Sequence, residues 1–206
     1  SGSGKTTVIR AVLGLLPGGG RVSEGDILFD GKTLLQNTPM EWRKLRGSEI
    51  SMIFQDPMTA LNPIMTIGQQ LAEVVIKHKK LGKKEALEVA AAMLEKVGVT
   101  RDRLNDYPHQ FSGGQRQRIC IARSLAVKPK FVVCDECVSA LDVSIQSQII
   151  NLLQELKEKD GLTYLFISHN LSVVRYISDR IGVMYLGNLV EVAETDEIFA
   201  DPRHPY

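Results

Sequence analysis

Residues 111–142 read FSGGQRQRICIARSLAVKPKFVVCDECVSALD, and this stretch decides the fold. Ser112 and the two glycines after it stand at the start of a predicted helix, because the apolar residues that follow recur at helical spacing. The first backbone N–H groups of a helix have no partner within it, and glycines let an anion approach them closely. An ordinary serine cap followed by a glycine turn has the same sequence, so this segment alone leaves both interpretations open.

The second half of the stretch predicts a buried strand that ends in two carboxylates. Phe131 to Cys134 is continuously apolar, as in the strands of parallel sheets, and Asp135 and Glu136 follow directly. A carboxylate at such a strand end can hold Mg²⁺ through its water shell, and its neighbour can polarise a water for attack on phosphorus. We assign the first role to Asp135 and the second to Glu136; an exposed acidic turn is the alternative.

The first residues, SGSGKTT (1–7), match the end of the phosphate-binding pattern G-x-x-x-x-G-K-[ST]-[ST]. Its glycines expose backbone amides, its lysine reaches the β and γ phosphates, and its first threonine binds Mg²⁺. A helix is predicted from Thr7 to Leu16, and its apolar spacing disfavours the alternative of a flexible glycine-serine tail. The predicted nucleotide-binding residues are Ser1, Gly2, Ser3, Gly4, Lys5, Thr6 and Thr7.

Two further strands are predicted to end in polar side chains. Gln55 follows the strand from Ile50 to Phe54, where its amide could bind Mg²⁺ or the attacking water; a plain polar cap is the commoner role of a lone glutamine. His169 follows a buried strand from Leu162 to Ile167 and could hydrogen-bond the γ-phosphate. Strands that alternate with helices and end in such groups predict an α/β fold with a parallel sheet.

The segments around these motifs predict a helical insert within the α/β part of the chain. Residues 56–63 are a turn-rich, partly apolar connector, typical of an exposed docking loop. We divide the single predicted domain, 1–206, into an α/β core (1–65 and 109–206) and a helical subdomain (66–108). The other predicted elements are a hairpin turning at Asp30-Gly31 and helices over Met40–Arg46, Ile67–His78, Lys84–Val97 and Val143–Lys157.

Composition narrows the class of protein. The chain has 206 residues, 44% of them hydrophobic, which is enough for one sizeable globular domain. A net charge of +1 gives no electrostatic reason to expect nucleic acid as the main partner, and no apolar run approaches the roughly 18 residues that span a bilayer. Three cysteines favour a reducing compartment. Cys134 and Cys137 also form a C-x-x-C pair, a weaker redox or zinc alternative without a second pair.

With these residues the chain resembles the nucleotide-binding subunit of an ABC transporter. SGSGKTT is similar to Walker A, FSGGQ to the signature motif, FVVCDE to Walker B and SALD to the D-loop; Gln55 and His169 match the Q-loop and the switch histidine. FQDPMTALNP (54–63), SALDVSIQ (139–146) and residues 201–206 more narrowly resemble the ATPases of dipeptide, oligopeptide and nickel importers. Two departures are Cys137, where the family usually has proline, and Asn170, where it has aspartate.

The resemblance implies a P-loop NTPase (RecA-like) fold whose antiparallel N-terminal β part is truncated here, because the first Walker A glycine would precede Ser1. It implies ATP and Mg²⁺ as cofactors and ATP hydrolysis that powers peptide import through dimer closure. The implied catalytic residues are Glu136, His169 and Gln55; the metal ligands are Thr6, Gln55 and Asp135; the residues that cap the γ-phosphate of a partner subunit are Ser112, Gly113, Gly114 and Gln115.

The implied partners are a homologous ATPase subunit, in a homodimer or heterodimer, and two transmembrane permease subunits. An extracytoplasmic substrate-binding protein is an indirect partner, and nucleic acid is not expected. The implied location is the cytoplasmic face of the cell membrane, where the chain is peripheral. The alternatives are a soluble ABC ATPase that remodels DNA or ribosomes, and an inactive truncated partner; the former usually carries a coiled-coil insert or second cassette, and neither is visible in the sequence.

Overall fold

The computed structural model describes residues 3–206, which divide into two compact units. Residues 43–165 form the larger unit, and residues 3–42 with 166–206 form the smaller unit. Each has its own fully buried apolar side chains, such as Ile9 in the smaller unit and Ile53 in the larger. Among the described residues, no helix combines the length and the apolar character that crossing a bilayer requires.

A parallel pair of strands lies at the centre of the larger unit. Strand β3 (Ile50–Ile53) pairs with β4 (Phe131–Asp135), from Ile50 opposite Phe131 to Ile53 opposite Cys134. Strand β5 (Thr163–Ile167) follows β4 in the sheet order β3-β4-β5. The buried β4 is confirmed. The prediction that β5 is buried is wrong, because the strand lies at one of the two edges of this three-stranded sheet and is only half-buried.

Five helices lie in the larger unit: α3 (Pro57–Ala60), α4 (Ile67–Lys79), α5 (Lys83–Lys96), α6 (Gly113–Leu125) and α7 (Val143–Asp160). Four of them confirm predicted helices. Helix α3 was not predicted; it forms in the connector because the Asp56 side chain accepts a hydrogen bond from the Met58 N–H and Pro57 presets the first helical φ.

Helix α4 begins with a capping box. The Thr66 Oγ1 accepts from the Gln69 N–H at 3.3 Å, and the Gln69 Oε1 accepts from the Thr66 N–H at 3.0 Å. Short 3-10 turns at Arg101–Asn105 and Pro108–Gln110 connect α5 to α6. The division of the chain into an α/β core and a helical subdomain stays a prediction.

The smaller unit contains one helix at its start and two antiparallel strand pairs. Helix α1 (Lys5–Val12) ends before the predicted Leu16, because Gly14 takes a left-handed φ of 61°. In the hairpin of β1 (Leu28–Phe29) and β2 (Lys32–Thr33), positive φ angles of 49° and 74° at the turn confirm the predicted tight turn. The other elements are α2 (Pro39–Leu45), which crosses into the larger unit, α8 (Leu171–Ile177), β6 (Arg180–Tyr185), β7 (Asn188–Glu194) and α9 (Thr195–Ala200).

Candidate functional site

The predicted anion-binding helix start is a fully formed capping box. The Ser112 Oγ accepts from the Gln115 N–H at 3.3 Å, and the Gln115 Oε1 accepts from the Ser112 N–H at 3.0 Å. A hydroxyl can accept and donate at once, so this bond does not use the Ser112 O–H proton. The cap and a contact to a phosphate are therefore chemically compatible.

The two glycines after Ser112 differ in how closely the chain packs on them. A Cβ built on Gly114 would lie 2.6 Å from the Ile145 Cγ2 in the first turn of α7, closer than real contacts allow. A Cβ on Gly113 would lie 3.8 Å from the Leu141 Cδ2, an ordinary contact. Gly114 is thus required by the packing of α6 on α7, independently of any ligand.

Glu136 lies at the end of β4 in an unusual backbone conformation. Its φ is 47°, in the left-handed region that non-glycine residues rarely adopt. Its carbonyl accepts from the Ser139 N–H at 3.0 Å and from the Ser139 Oγ at 2.9 Å. The preceding Asp135 is only 9% exposed. At the end of β4, a nearly buried carboxylate, Asp135, is therefore followed directly by a half-buried one, Glu136.

Gln55 and Glu136 meet at the carboxyl ends of two paired strands. The Gln55 Nε2 donates to the Glu136 Oε2 at 3.3 Å and lies 3.4 Å from the Ser139 Oγ. The sequence singled out Gln55 and Glu136, and the structure brings them together; their catalytic roles stay predictions. Ser139 was missed as an individual contact, although a hydroxyl placed three residues after an acidic turn residue is typical of a side chain that closes such a turn.

A second residue that the sequence analysis missed is Gln117 on α6. Its side chain is fully buried, and its Nε2 donates to the Cys137 carbonyl at 2.6 Å. The signal in the sequence was an amide among the apolar positions of a predicted helix. Gln117 connects α6 directly to the turn that carries Glu136.

All three cysteines are buried free thiols. A hydrogen bond with Cys137 and burial together raise the pKa of Cys134 well above its ordinary value. The Cys134 thiol thus keeps its proton at neutral pH, and both cysteines of the C-x-x-C pair pack in the core. Within residues 3–206, no group of three or more His, Cys, Asp or Glu side chains is arranged to hold a metal ion.

Asp142 caps helix α7, which follows the SALD segment. Its carboxylate accepts from the Ile145 N–H at 3.0 Å and from the Ser144 hydroxyl at 2.8 Å. These bonds stabilise the charged form and lower the pKa of Asp142 below its ordinary value, with the Ile145 bond the larger cause. The start of α7 therefore carries a negative charge.

The remaining predicted residues belong to the smaller unit. The Lys5 Nζ donates to the Ser3 Oγ at 3.1 Å, and Gly4 precedes α1 with a left-handed φ of 87°. Thr6 and Thr7 are exposed in the first turn of α1. Ser1 and Gly2 lie outside the described residues.

His169 is exposed and follows β5, as predicted from the sequence. The next residue, Asn170, caps α8: its Oδ1 accepts from the Ser172 N–H at 3.1 Å and from the Val173 N–H at 3.3 Å. Asparagine and aspartate cap helices about equally well, so this departure from the family pattern preserves the local structure.

The family model for ABC transporters matches residues 1–139, and the chain belongs to this family. Among curated relatives, it is 51% identical to the oligopeptide transport ATP-binding protein OppF of Escherichia coli (strain K12), over 100% of this chain and 60% of the relative. It is 48% identical to the oligopeptide transport ATP-binding protein OppD of Bacillus subtilis (strain 168), over 100% of this chain and 58% of the relative. The chain thus spans about three fifths of the length of these relatives.

Solved structures of ATP-binding cassettes confirm the fold class. The chain aligns with cbiO1 from Clostridium perfringens, part of the ABC transporter complex cbiONQ, with a TM-score of 0.85 and 29% identity, over 98% of this chain and 76% of that one. It aligns with a dimeric post-hydrolysis state of the ATP-binding cassette MJ0796, bound to ADP and Pi, with a TM-score of 0.80 and 28% identity, over 94% of this chain and 81% of that one.

Proposed function

We propose that this chain binds and hydrolyses ATP to power peptide import through an ABC transporter, at the cytoplasmic face of the cell membrane. The observation that carries the proposal is the hydrogen-bonded group formed by Gln55, Glu136 and Ser139 at adjacent strand ends. The match to the ABC transporter family and to oligopeptide transport ATP-binding proteins supports it.

In this proposal the phosphates of ATP bind at the start of α1. Lys5 exchanges its bond with the neutral Ser3 hydroxyl for bonds to phosphate oxygens, in which donor and acceptor both carry a charge. Gly4 lets the backbone approach the phosphates closely, and the exposed first turn of α1 supplies N–H groups. Ser1, Gly2 and Thr7 complete the proposed loop.

Thr6, Gln55 and Asp135 would hold Mg²⁺. A hydroxyl, an amide carbonyl and a carboxylate form the set of hard oxygen ligands that this ion prefers. Asp135 fits this role because its carboxylate is only 9% exposed, so few waters compete for it. The ion supplies positive charge that neutralises the β and γ phosphates during transfer.

Glu136 is the proposed general base. It removes the proton from the attacking water while Gln55 and Ser139 hold its carboxylate and its turn. His169 donates a hydrogen bond to the γ-phosphate. Each group thus has a different target: Glu136 acts on the water, Gln55 and Ser139 act on the base, and His169 acts on the transferred phosphoryl group.

Dimer closure with a homologous ATPase subunit would depend on ATP. Ser112, Gly113, Gly114 and Gln115 would cap the γ-phosphate bound by the partner. If each of two signatures makes two charge-assisted bonds of about 1.5–3 kcal/mol, the gain is roughly 6–12 kcal/mol. Association costs about 4–15 kcal/mol, which is of the same size. The bonds to ATP are therefore large enough to decide whether the dimer closes, and their loss on hydrolysis should release it.

The segment of residues 56–63 is the proposed contact for two transmembrane permease subunits, through which a substrate-binding protein is engaged indirectly. Met58 is 61% exposed, which gives the segment an apolar surface. The segment is also tied to α6, because the Arg123 Nη1 donates to the Ala60 carbonyl at 2.7 Å and Arg116 contacts the Met58 sulfur. Movement of this segment would therefore displace α6.

The test is Glu136→Gln in the full-length protein assembled with its transporter partners. We expect ATP binding to persist, turnover to fall to background and a closed dimer to accumulate, because the amide cannot accept the water's proton. Phosphate release, nucleotide affinity and dimer mass are measured together. Glu88→Gln, at an exposed ion pair with Arg101, is the control and should leave turnover unchanged. Normal hydrolysis by Glu136→Gln would remove Glu136 from the role of base.

A further inference from the structure

The turn that carries Glu136 is held by bonds from two sources. Within the turn, the Ser139 N–H and Oγ donate to the Glu136 carbonyl at 3.0 and 2.9 Å. From outside, the Gln117 Nε2 donates to the next carbonyl, that of Cys137, at 2.6 Å. Both Gln117 and Cys137 are buried, with exposures of 0% and 1%, so water cannot replace this bond.

The backbone of Glu136 needs such support. A non-glycine residue with a φ of 47° is strained, and strained residues persist only where their surroundings hold them. We infer that Gln117 is a positioning residue for Glu136: its amide fixes the Cys137 carbonyl and thereby the direction in which the neighbouring carboxylate extends. This inference rests on the proposed ATPase function, in which Glu136 is the base.

The Oε1 atom of Gln117 allows a positioning role of this residue to be distinguished from a contribution to stability alone. Its Oε1 is buried and has no hydrogen-bond partner among the described residues. An unsatisfied buried acceptor destabilises the folded state, which offsets what the Nε2 bond contributes. Replacing the amide with an apolar side chain of similar length removes the unsatisfied Oε1 but takes the Nε2 donor from the buried Cys137 carbonyl. One buried acceptor without this bond replaces another, so folding should change little while the support of the turn is lost.

Gln117 also connects two parts of the proposed reaction. It lies on α6, the helix that begins at the Ser112 cap. The helix start proposed to contact the partner's γ-phosphate and the turn that carries the base are therefore joined through one buried hydrogen bond. A shift of α6 on dimer closure would move the Cys137 carbonyl with it.

The experiment compares Gln117→Met with Gln154→Met in the full-length protein assembled with its partners. Gln154, on α7, is the matched control: its Oε1 is also buried without a partner among the described residues, and its Nε2 donates to the Glu158 Oε1 at 2.8 Å. We expect Gln117→Met to lower kcat about 10- to 100-fold, because misplacing a reacting group by about 1 Å has effects of this size. The KM for ATP and the urea midpoint should stay near wild type, and Gln154→Met should leave kcat unchanged.

A double variant shows whether the effect passes through Glu136. In a Glu136→Asp background, where the shortened side chain already misplaces the base but keeps a carboxylate with measurable turnover, Gln117→Met should cause little further fall in kcat. A wild-type kcat in Gln117→Met, or a full additional fall in the double variant, overturns the inference. If Glu136→Gln itself stays active, Glu136 is not the base and the inference fails with that role, while the proposed ATPase function stands.

A second substitution covers the case in which Gln117→Met does not fold. Burial raises the pKa of a carboxyl group, and a protonated carboxyl can donate to the Cys137 carbonyl as the amide does. Activity of Gln117→Glu relative to wild type should therefore rise as the pH falls. A ratio that does not change with pH contradicts the positioning role.

Discussion

Helices α1 and α6 both begin after a glycine-serine motif, but their first turns are satisfied in different ways. Helix α1 starts at Gly4, and among the described residues no side chain caps its first N–H groups. Helix α6 starts at Ser112, whose side chain and that of Gln115 satisfy two N–H groups in a reciprocal capping box. Similar motifs in the sequence thus produce one helix start without a side-chain cap and one whose cap forms without a ligand.

The two helix starts should therefore have different roles, with α1 binding ATP and α6 taking part in dimer closure. The first N–H groups of α1 need an outside partner, which a phosphate supplies, so this end should carry most of the affinity for ATP. The start of α6 needs no ligand to form, and it retains the Ser112 hydroxyl proton for a second phosphate. We expect substitutions at α1 to change nucleotide affinity and substitutions at α6 to change packing or dimer closure.

The largest expected effect is at α1. Lys5→Ala should weaken ATP binding about 10- to 150-fold, the equivalent of losing one charge-assisted contact of about 1.5–3 kcal/mol. Calorimetric titration of the full-length subunit measures this affinity. Lys32→Ala, at an exposed position of β2 in the same unit, is the control and should bind normally. If Ser112→Ala weakens binding by the isolated subunit as much as Lys5→Ala does, the proposed separation between the two helix starts is wrong.

The second effect is steric. Gly114→Ala should cost about 1–3 kcal/mol in free energy of unfolding, because its Cβ would overlap the Ile145 Cγ2. Gly113→Ala has the same chemistry without the overlap and should be nearly neutral or stabilising. Urea denaturation measures both. In an Ile145→Ala background the cost of Gly114→Ala should disappear, whereas an unchanged cost would place its origin elsewhere than in this contact.

The smallest expected effect is on stability, at the two capping boxes of Ser112 and Thr66. Ser112→Ala and Thr66→Ala each remove the hydroxyl of a capping box and should each cost about 0.5–2 kcal/mol of stability. Only Ser112→Ala should also reduce ATP-dependent dimerisation, measured by sedimentation. Equal dimerisation in both variants would show that the Ser112 hydroxyl serves α6 alone.

Local patterns predicted most elements of the fold. The continuous apolar run of β4 and the serine before α6 act over a few residues, so the sequence reveals them directly. The early end of α1 was missed because Gly14 can continue a helix or end it, and only the left-handed backbone decides. Helix α3 was missed because its proline and aspartate are equally typical of turns.

The contacts within the candidate site were harder to predict because they join distant residues. Gln55 and Glu136 are 81 positions apart, and only the parallel pairing of β3 with β4 brings them together. A lone glutamine at a strand end favoured a plain cap, yet its amide bonds the predicted base. Gln117 reaches Cys137 across 20 positions. Its place among the apolar positions of α6 indicates burial, but nothing local identifies the carbonyl that it binds.

The buried cysteines allow local opening of the protein to be measured through the alkylation of their thiols. Burial raises the pKa of Cys120 to about 11, so at pH 7 only about one thiol in ten thousand is ionised. Because the thiolate is the reactive form, alkylating reagents should modify Cys120 on α6 and Cys134 on β4 only when these elements separate from the core. The rate of alkylation therefore reports how often α6 and β4 open, without any introduced label.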